Sequence, residues 1–272
     1  MTRPTRAVLC TSGGLPGALV LGRLLRCPSL QVAGIVHSTR ILRAEHGFLR
    51  GAWAQYRLSG AAYTLYLWCA TSLADWLSNR GPQKSVAALA SKRGIPVLKT
   101  RDVNAAAGRD FVAATKPDLL VSAFFNQRLS PALLGIPRVA ALNIHPSLLP
   151  DYRGVDPVFY SMLRRAPGFG VTLHHLTPEL DAGNILVQAE VPVEPASSVL
   201  RTTAVLYARG AGLLAGRLPK IATGDPGTPQ AAGGCYDSWP TRDQVRRLRA
   251  GGTALVNPSD LIEVARGRQV PG

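Results

Sequence analysis

Strand-length apolar runs alternate with helix-length segments along most of this chain, and that alternation restricts the fold more than any other feature. Parallel strands need long crossovers, and the crossover helices cover both faces of the sheet they connect. "RAVLCT" leads through "SGGLPG" into the helical "ALVLGRLLR", and "LQVAGIVHS" follows as a second strand. Further on, "QKSVAALASKRG" precedes "IPVLKT", "AAGRDFVAATKP" precedes "DLLVSAFF", and "RVAALNIH" supplies another strand. "GVTLHHL" and "NILVQAEVPV" read as strands, and "SSVLRTTAVLYARGAGLLAGRLPKIA" as a long helix ending near residue 222. The pattern predicts an α/β fold: a Rossmann-like, doubly wound, mostly parallel sheet.

Two stretches depart from it. Residues 223–240, "TGDPGTPQAAGGCYDSWP", are dense in glycine and proline and predict a loop; "TRDQVRRLRA" predicts a short basic helix with Thr241 as N-cap. The expected division is a catalytic core over 1–222, with a helical insertion at about 40–80, and a short irregular C-terminal extension over 223–272. Within the insertion, Leu58 to Ala74 carries no charge and is preceded by Arg40, Arg43, Arg50 and Arg57. At 17 residues it sits at the lower limit for a membrane span, and crossing a bilayer from inside such a sheet is topologically awkward. Two readings stand. One is an interfacial hairpin that makes peripheral membrane contact, with Trp53, Tyr56, Tyr63, Tyr66, Trp68 and Trp76 near lipid headgroups. The other, favoured, is an insertion packed on the sheet or in a homodimer interface, since aromatic stripes at helical spacing usually belong to cores.

Lys and Arg number 31 against 16 Asp and Glu, a formal charge of +15 that suits an acidic partner as well as an ordinary solvated surface. Cys10, Cys27, Cys69 and Cys235 show neither CxxC pairing nor metal-ligand spacing, so no disulfide and no metal are expected. The apolar run Ala7–Cys10 is too short for a signal peptide, and the expected location is cytoplasmic.

"LNIHPSLLPDYRG", residues 142–154, places Asn143 and His145 two apart at the end of a buried strand. Residues two apart share a face, and the carboxyl ends of strands in open α/β sheets are where ligands collect. An amide and an imidazole there can stabilise a developing oxyanion, and the imidazole can move a proton. "TPELDAGNIL" offers the acid: Asp181, followed by Ala182 and Gly183, which let the backbone approach closely. "TSGGLPG" stands where phosphate often meets a helix N-terminus, but it is neither a P-loop nor GxGxxG. His174 and His175 alternate faces on a strand beside the expected site; a hydrogen-bonded structural role is favoured over one of them reaching the cleft.

"LNIHPSLLPDYRG" followed by "GVTLHHLTPELDAGNILVQ" resembles the signature of the formyltetrahydrofolate-dependent formyltransferases, which act on glycinamide ribonucleotide, methionyl-tRNA or nucleotide-sugar amines. The resemblance spans about residues 5–220 and is most specific from Asp118 to Gln188. It implies Asn143, His145 and Asp181 as the catalytic trio, with Asp181 orienting the imidazole. It implies 10-formyltetrahydrofolate as donor, held by Phe125, Asn126, Gln127, Arg128, Leu129 and the backbone of Leu180 and Asp181. Tyr152, Arg153, Gly154 and Asp156 would lie on the loop that closes over the reacting groups, with Asp156 selecting a cationic amine. The implied partner is a small-molecule primary amine, an amino sugar or lipid-linked amine. A nucleic acid acceptor is not expected, because the methionyl-tRNA enzymes carry a C-terminal barrel that the Gly-Pro tail does not resemble. A formyltetrahydrofolate hydrolase or methionyl-tRNA formyltransferase-like enzyme, and a folate- or membrane-binding relative without turnover, are the alternatives.

Overall fold

A computed structural model describes residues 3–80 and 84–266. The first parallel unit is β1 (Thr5–Thr11), α1 (Gly14–Leu24) and β2 (Leu30–Ser38). The insertion follows as α2 (Phe48–Trp68), a π-helical turn (Cys69–Leu73) and α3 (Ala74–Arg80). Next come α4 (Val86–Lys92), β3 (Val97–Thr100), α5 (Ala106–Ala114), β4 (Leu119–Ala123), α6 (Pro131–Leu134) and β5 (Ala140–His145). The remainder is β6 (Arg153–Gly154), α7 (Pro157–Leu163), β7 (Phe169–His175), β8 (Ile185–Val191), α8 (Val199–Ala222), β9 (Tyr236–Asp237), α9 (Arg242–Ala250) and α10 (Pro258–Arg266).

Seven strands form one sheet in the order β3-β2-β1-β4-β5-β7-β8. The first five run parallel, and β7 and β8 close the sheet antiparallel. Strand alternation divides the core. Ala7 and Leu9 of β1, Val121 of β4, and Leu142 and Ile144 of β5 pack on the face covered by α1 and α8. Val8, Cys10, Leu120 and Ala141 point to the opposite face, with Val112 of α5 and Leu133 of α6. Leu142 is fully buried, so Leu142→Ala costs about 2–5 kcal/mol by lost transfer energy and cavity formation. Asn143 and His145 share the Ala141 side, and at the strand end that face opens into a cavity rather than onto a helix.

The insertion packs mainly on other helices rather than on the sheet: α2 against α9, the π turn against α1, and α3 against α10. Gly60, with φ of 81°, breaks α2 into two arms. Tyr63 is fully buried, edge-on to Phe159 and Trp239, whereas Trp53, Trp68 and Trp76 are exposed. No described helix is long and apolar enough to cross a membrane.

The C-terminal region is more ordered than its composition suggests. Thr241 caps α9 through a reciprocal capping box with Gln244, as its sequence predicts. A second helix, α10, was not expected, although Pro258 at its first position and Asp260 in its first turn are helix-start signals. Asp260 accepts from the Oγ of Ser198 at 2.6 Å, and Ser198 in turn caps α8 through the backbone N–H of Arg201. Residues 223–266 are thus tied to the core at several points.

Candidate active site

The trio assembles where β5 ends beside β7. Asn143 lies opposite His174 in the antiparallel register, and its Nδ2 is 3.1 Å from Nε2 of that ring. The same amide nitrogen donates a longer bond of 3.4 Å to Oδ1 of Asp181. His145 places Nδ1 3.5 Å from that carboxylate oxygen and Nε2 3.0 Å from the carbonyl oxygen of Tyr152. A carbonyl only accepts, so Nε2 of His145 carries a hydrogen, and Nδ1 faces the acid.

His174 is a residue for which sequence reasoning favours a structural role. Its Nδ1 lies 2.8 Å from the carbonyl oxygen of His175, which fixes the hydrogen on Nδ1 and leaves Nε2 as an acceptor for the Asn143 amide. Burial drives the pKa of His174 down to about 4, with the charge of His145 acting in the same direction and Asp181 opposing it. The neutral ring therefore orients Asn143. The signal was available in the sequence: one of two adjacent histidines on a strand must face the same way as its cross-strand neighbour.

Asp181 has φ of 51°, a left-handed conformation that Asp tolerates better than most residues. The backbone N–H of Gly154 holds its Oδ2 at 2.9 Å, and Nε2 of Gln230 donates to its carbonyl and to that of Gly183, both at 2.8 Å. A Cβ at Gly183 would fall 1.9 Å from the carbonyl oxygen of His175, so the close approach inferred from "DAG" is present. Gln230 sits in the Gly-Pro-rich stretch, where nothing in the sequence marks it.

On the loop after His145, Tyr152 contributes its carbonyl, and Arg153 donates from its guanidinium to Gln230 at 2.8 Å. Asp156 is engaged within the protein. It is buried, caps α7 through the N–H of Phe159, and accepts from the hydroxyl of Tyr63 at 2.7 Å. Burial raises its pKa, opposed by those two hydrogen bonds. The carboxylate borders the cavity, but its hydrogen bonds go to a helix N-terminus and to the insertion.

Phe125, Asn126, Gln127, Arg128, Leu129 and Leu180 all line the cavity that holds the trio. Their side chains are not equally free. Oδ1 of Asn126 accepts from Ser38 at 2.6 Å and from Ser12 at 3.2 Å, while its amide donates to the carbonyl of Arg40. Gln127 is buried, bonded to Ser38 and to the N–H of Val103. Arg128 donates to the carbonyl of Pro178. These three lash the end of β4 to neighbouring loops, leaving Phe125, Leu129 and Leu180 as the apolar walls.

The N-terminus of α1, weighed above as an anion site, is covered by the insertion. Asp75 accepts from the N–H of Gly14, its pKa raised to about 6 by burial, and a Cβ at Gly14 would lie 2.1 Å from the carbonyl of Ala70. The ring nitrogens of His145 and His174 and the Asp181 carboxylate lie within 4.8 Å of one another, a spacing that divalent cations use. Nε2 of His174 already accepts the Asn143 amide, so a cation there would have to displace it.

The cavity has a volume of about 1020 Å³, at the upper end of small-molecule sites. An amide, an imidazole and a carboxylate converging in such a cavity at the carboxyl ends of an α/β sheet define a group-transfer type of site. Residues 74–212, just over half of the chain, match the family described as formyl transferase. The chain belongs to that family. It is 40% identical over 135 residues to the methionyl-tRNA formyltransferase of Geobacillus sp., covering 50% of this chain and 42% of that protein. The corresponding Bacillus subtilis protein is 37% identical over 135 residues. The match thus spans about two fifths of the length of these curated relatives. In fold, the chain is similar to phosphoribosylglycinamide formyltransferase from Anaplasma phagocytophilum, with a TM-score of 0.57 and 20% identity over 86% of this chain and all of that one. A 4-N formyltransferase from Francisella tularensis gives 0.56 and 18%, over 86% and 76%.

Proposed function

We propose that the protein transfers a formyl group from 10-formyltetrahydrofolate to a primary amine on a small molecule, an amino sugar or a lipid-linked amine. The observation that carries this reading is the convergence of Asn143, His145 and Asp181 in a cavity large enough for two ligands. Phe125, Leu129 and Leu180 offer flat apolar walls that suit the donor's ring system. When bound, the donor supplies an activated formyl carbon.

The amine attacks that carbon with its lone pair, so the new C–N bond forms while the bond to the donor nitrogen breaks. The proton lost by the amine ends on that donor nitrogen. Asn143 donates to the formyl oxygen as negative charge gathers on it, and His145 joins it by turning its Nε2–H from the Tyr152 carbonyl to that oxygen. The 3.4 Å contact from Asn143 to Asp181 is the weaker of its two bonds, and is the one an incoming oxygen replaces. Asp181, held by Gly154, fixes the imidazole and assists proton movement. Within this reading, residues 1–222 form the catalytic core, and 223–272 are an extension that lends it Gln230.

The sequence likeness to methionyl-tRNA formyltransferases and the positive charge favour a second acceptor, methionyl-tRNA. Incubating the purified protein with 10-formyltetrahydrofolate and a panel of amines, with methionyl-tRNA, and with no acceptor separates these readings. Formylated small amine supports the proposal, and formylation of methionyl-tRNA alone replaces the acceptor. Formate release without acceptor marks a hydrolase. An unconsumed donor in every arm overturns transfer and leaves a folate-binding relative.

A further inference from the structure

The cavity that holds the trio does not close behind it. Besides Asn143 and His145, its lining includes Phe48, Tyr56, Leu65 and Trp68 of α2, all exposed, which mark an apolar mouth. Phe48 is 68% exposed and Leu65 58%, so these side chains border the cavity and also face solvent. Leu65 and Trp68 stand three apart on the second arm of α2, and Leu49, Trp53 and Tyr56 follow helical spacing on the first. Leu49 and Trp53 are 80% and 62% exposed. Apolar groups this exposed and this close together are costly on a surface that meets only water.

Basic residues predominate beside this ridge. Helix α2 contains no acidic residue, and Arg50 and Arg57 are exposed on it. Helix α9, packed against α2, exposes Arg242, Arg247 and Arg249, and the Arg242 guanidinium lies 4.8 Å over the ring of Tyr56. The acidic groups nearby, Glu45 and Asp243, face Arg43 and Arg246. Aromatic and leucine side chains flanked by arginines are the composition of a helix lying in the plane of an anionic membrane surface.

We propose that α2 seats the protein on an anionic bilayer and that the acceptor is a primary amine on a hydrocarbon tail, which reaches Asn143 and His145 through the apolar mouth. The assignment rests on the formyl-transfer reading and names the acceptor class. The geometry separates the two parts of such a molecule: the amine lies at the polar floor, and the tail lies along Tyr56, Leu65 and Trp68 toward the lipid. The donor would lie against Phe125 and Leu129, which line the same cavity.

The test measures binding apart from turnover. Sedimentation with phosphatidylcholine–phosphatidylglycerol vesicles is compared with phosphatidylcholine alone. Quenching of tryptophan fluorescence by a brominated dodecylamine in those vesicles reports the tail site, and formyl transfer to butylamine and to dodecylamine reports the acceptor. The expected result is salt-sensitive pelleting with the anionic vesicles only, weakened about tenfold in Trp53→Ser and Leu65→Glu. Both substitutions fall at exposed positions, and thermal melts verify folding. Dodecylamine should exceed butylamine at least about tenfold in kcat/KM, the gain from burying roughly two methylenes. Equal kcat/KM for the two amines, absence of pelleting and quenching, or self-association of the protein in place of vesicle binding overturns the inference. Binding and quenching without formylation of any amine would sink the transfer reading alone, and formylation of butylamine without vesicle binding would sink this one alone.

Discussion

Asn143 and His174 face each other across the antiparallel junction of β5 and β7, amide nitrogen to imidazole Nε2 at 3.1 Å, and the backbone carbonyl of His175 decides which nitrogen of that ring carries hydrogen. The amide is therefore oriented before any ligand arrives. Removing it in Asn143→Ala should lower kcat about 100- to 1000-fold, the usual cost of an oxyanion donor. His174→Ala leaves the donor in place but lets it rotate, so a smaller fall is expected, with the donor's KM nearly unchanged. In the double variant the two effects should not add, because His174 acts through Asn143. Steady-state kinetics on the four proteins checks this.

The contribution of His174 to stability should fall on mild acidification, while Asp75 and Asp156, whose pKa values burial raises, act with the opposite sign. His174 binds its proton at about pH 4 in the folded protein and near 6.5 when unfolded, so between those values the unfolded chain takes up the extra proton. Its contribution is complete above pH 6.5 and is lost as pH drops toward 4, amounting to something on the order of 3 kcal/mol. The His174 part is read as a difference: over urea midpoints measured from pH 7.5 to 4.5, the wild type should lose stability relative to His174→Gln as pH falls.

Tyr63 and Asp156 join the insertion to the loop that carries the site. Tyr63→Phe keeps the buried ring but removes one hydrogen bond from a buried carboxylate. It should cost about 1–3 kcal/mol in chemical denaturation. Asp156→Ala also removes the α7 cap and should cost more. Acceptor charge preference should not change in either variant, since the hydrogen bonds of this carboxylate stay inside the protein.

Gly154 has φ of 118°, and a Cβ there would lie 2.0 Å from the carbonyl oxygen of Asp237. Gly154→Ala must displace the strand pair of β6 and β9 and with it the N–H that holds Asp181. Strain on the order of 1–3 kcal/mol is expected, together with a loss of kcat larger than the stability loss alone explains. A thermal melt and a turnover assay on the same preparation distinguish the two.

The sheet was legible because its signals are periodic. Alternation along "RAVLCT" and "RVAALNIH" fixes which residues face which layer, and it put Asn143 and His145 on one side. Asp181 was legible through its turn, "LDAG". Long-range pairings left no such trace. Nothing in "TGDPGTPQAAGG" says that Gln230 grips the backbone of Asp181 and Gly183. Nothing near Asp156 says that a tyrosine far upstream occupies it. A loop aspartate reads alike whether it faces a ligand or caps a helix, and only the packing of α2 decides.

The strand pair between Arg153–Gly154 and Tyr236–Asp237 links two places far apart in the order of synthesis. A nascent chain that has completed β5, β7 and even β8 already contains the trio, yet the clamp on the Asp181 turn is still missing. That clamp forms only once residues 230–237 have left the ribosome, so the core can condense well before the site acquires its shape. Chains interrupted in the Gly-Pro stretch would lack both the Gln230 grip on the Asp181 turn and the helices that pack on the insertion.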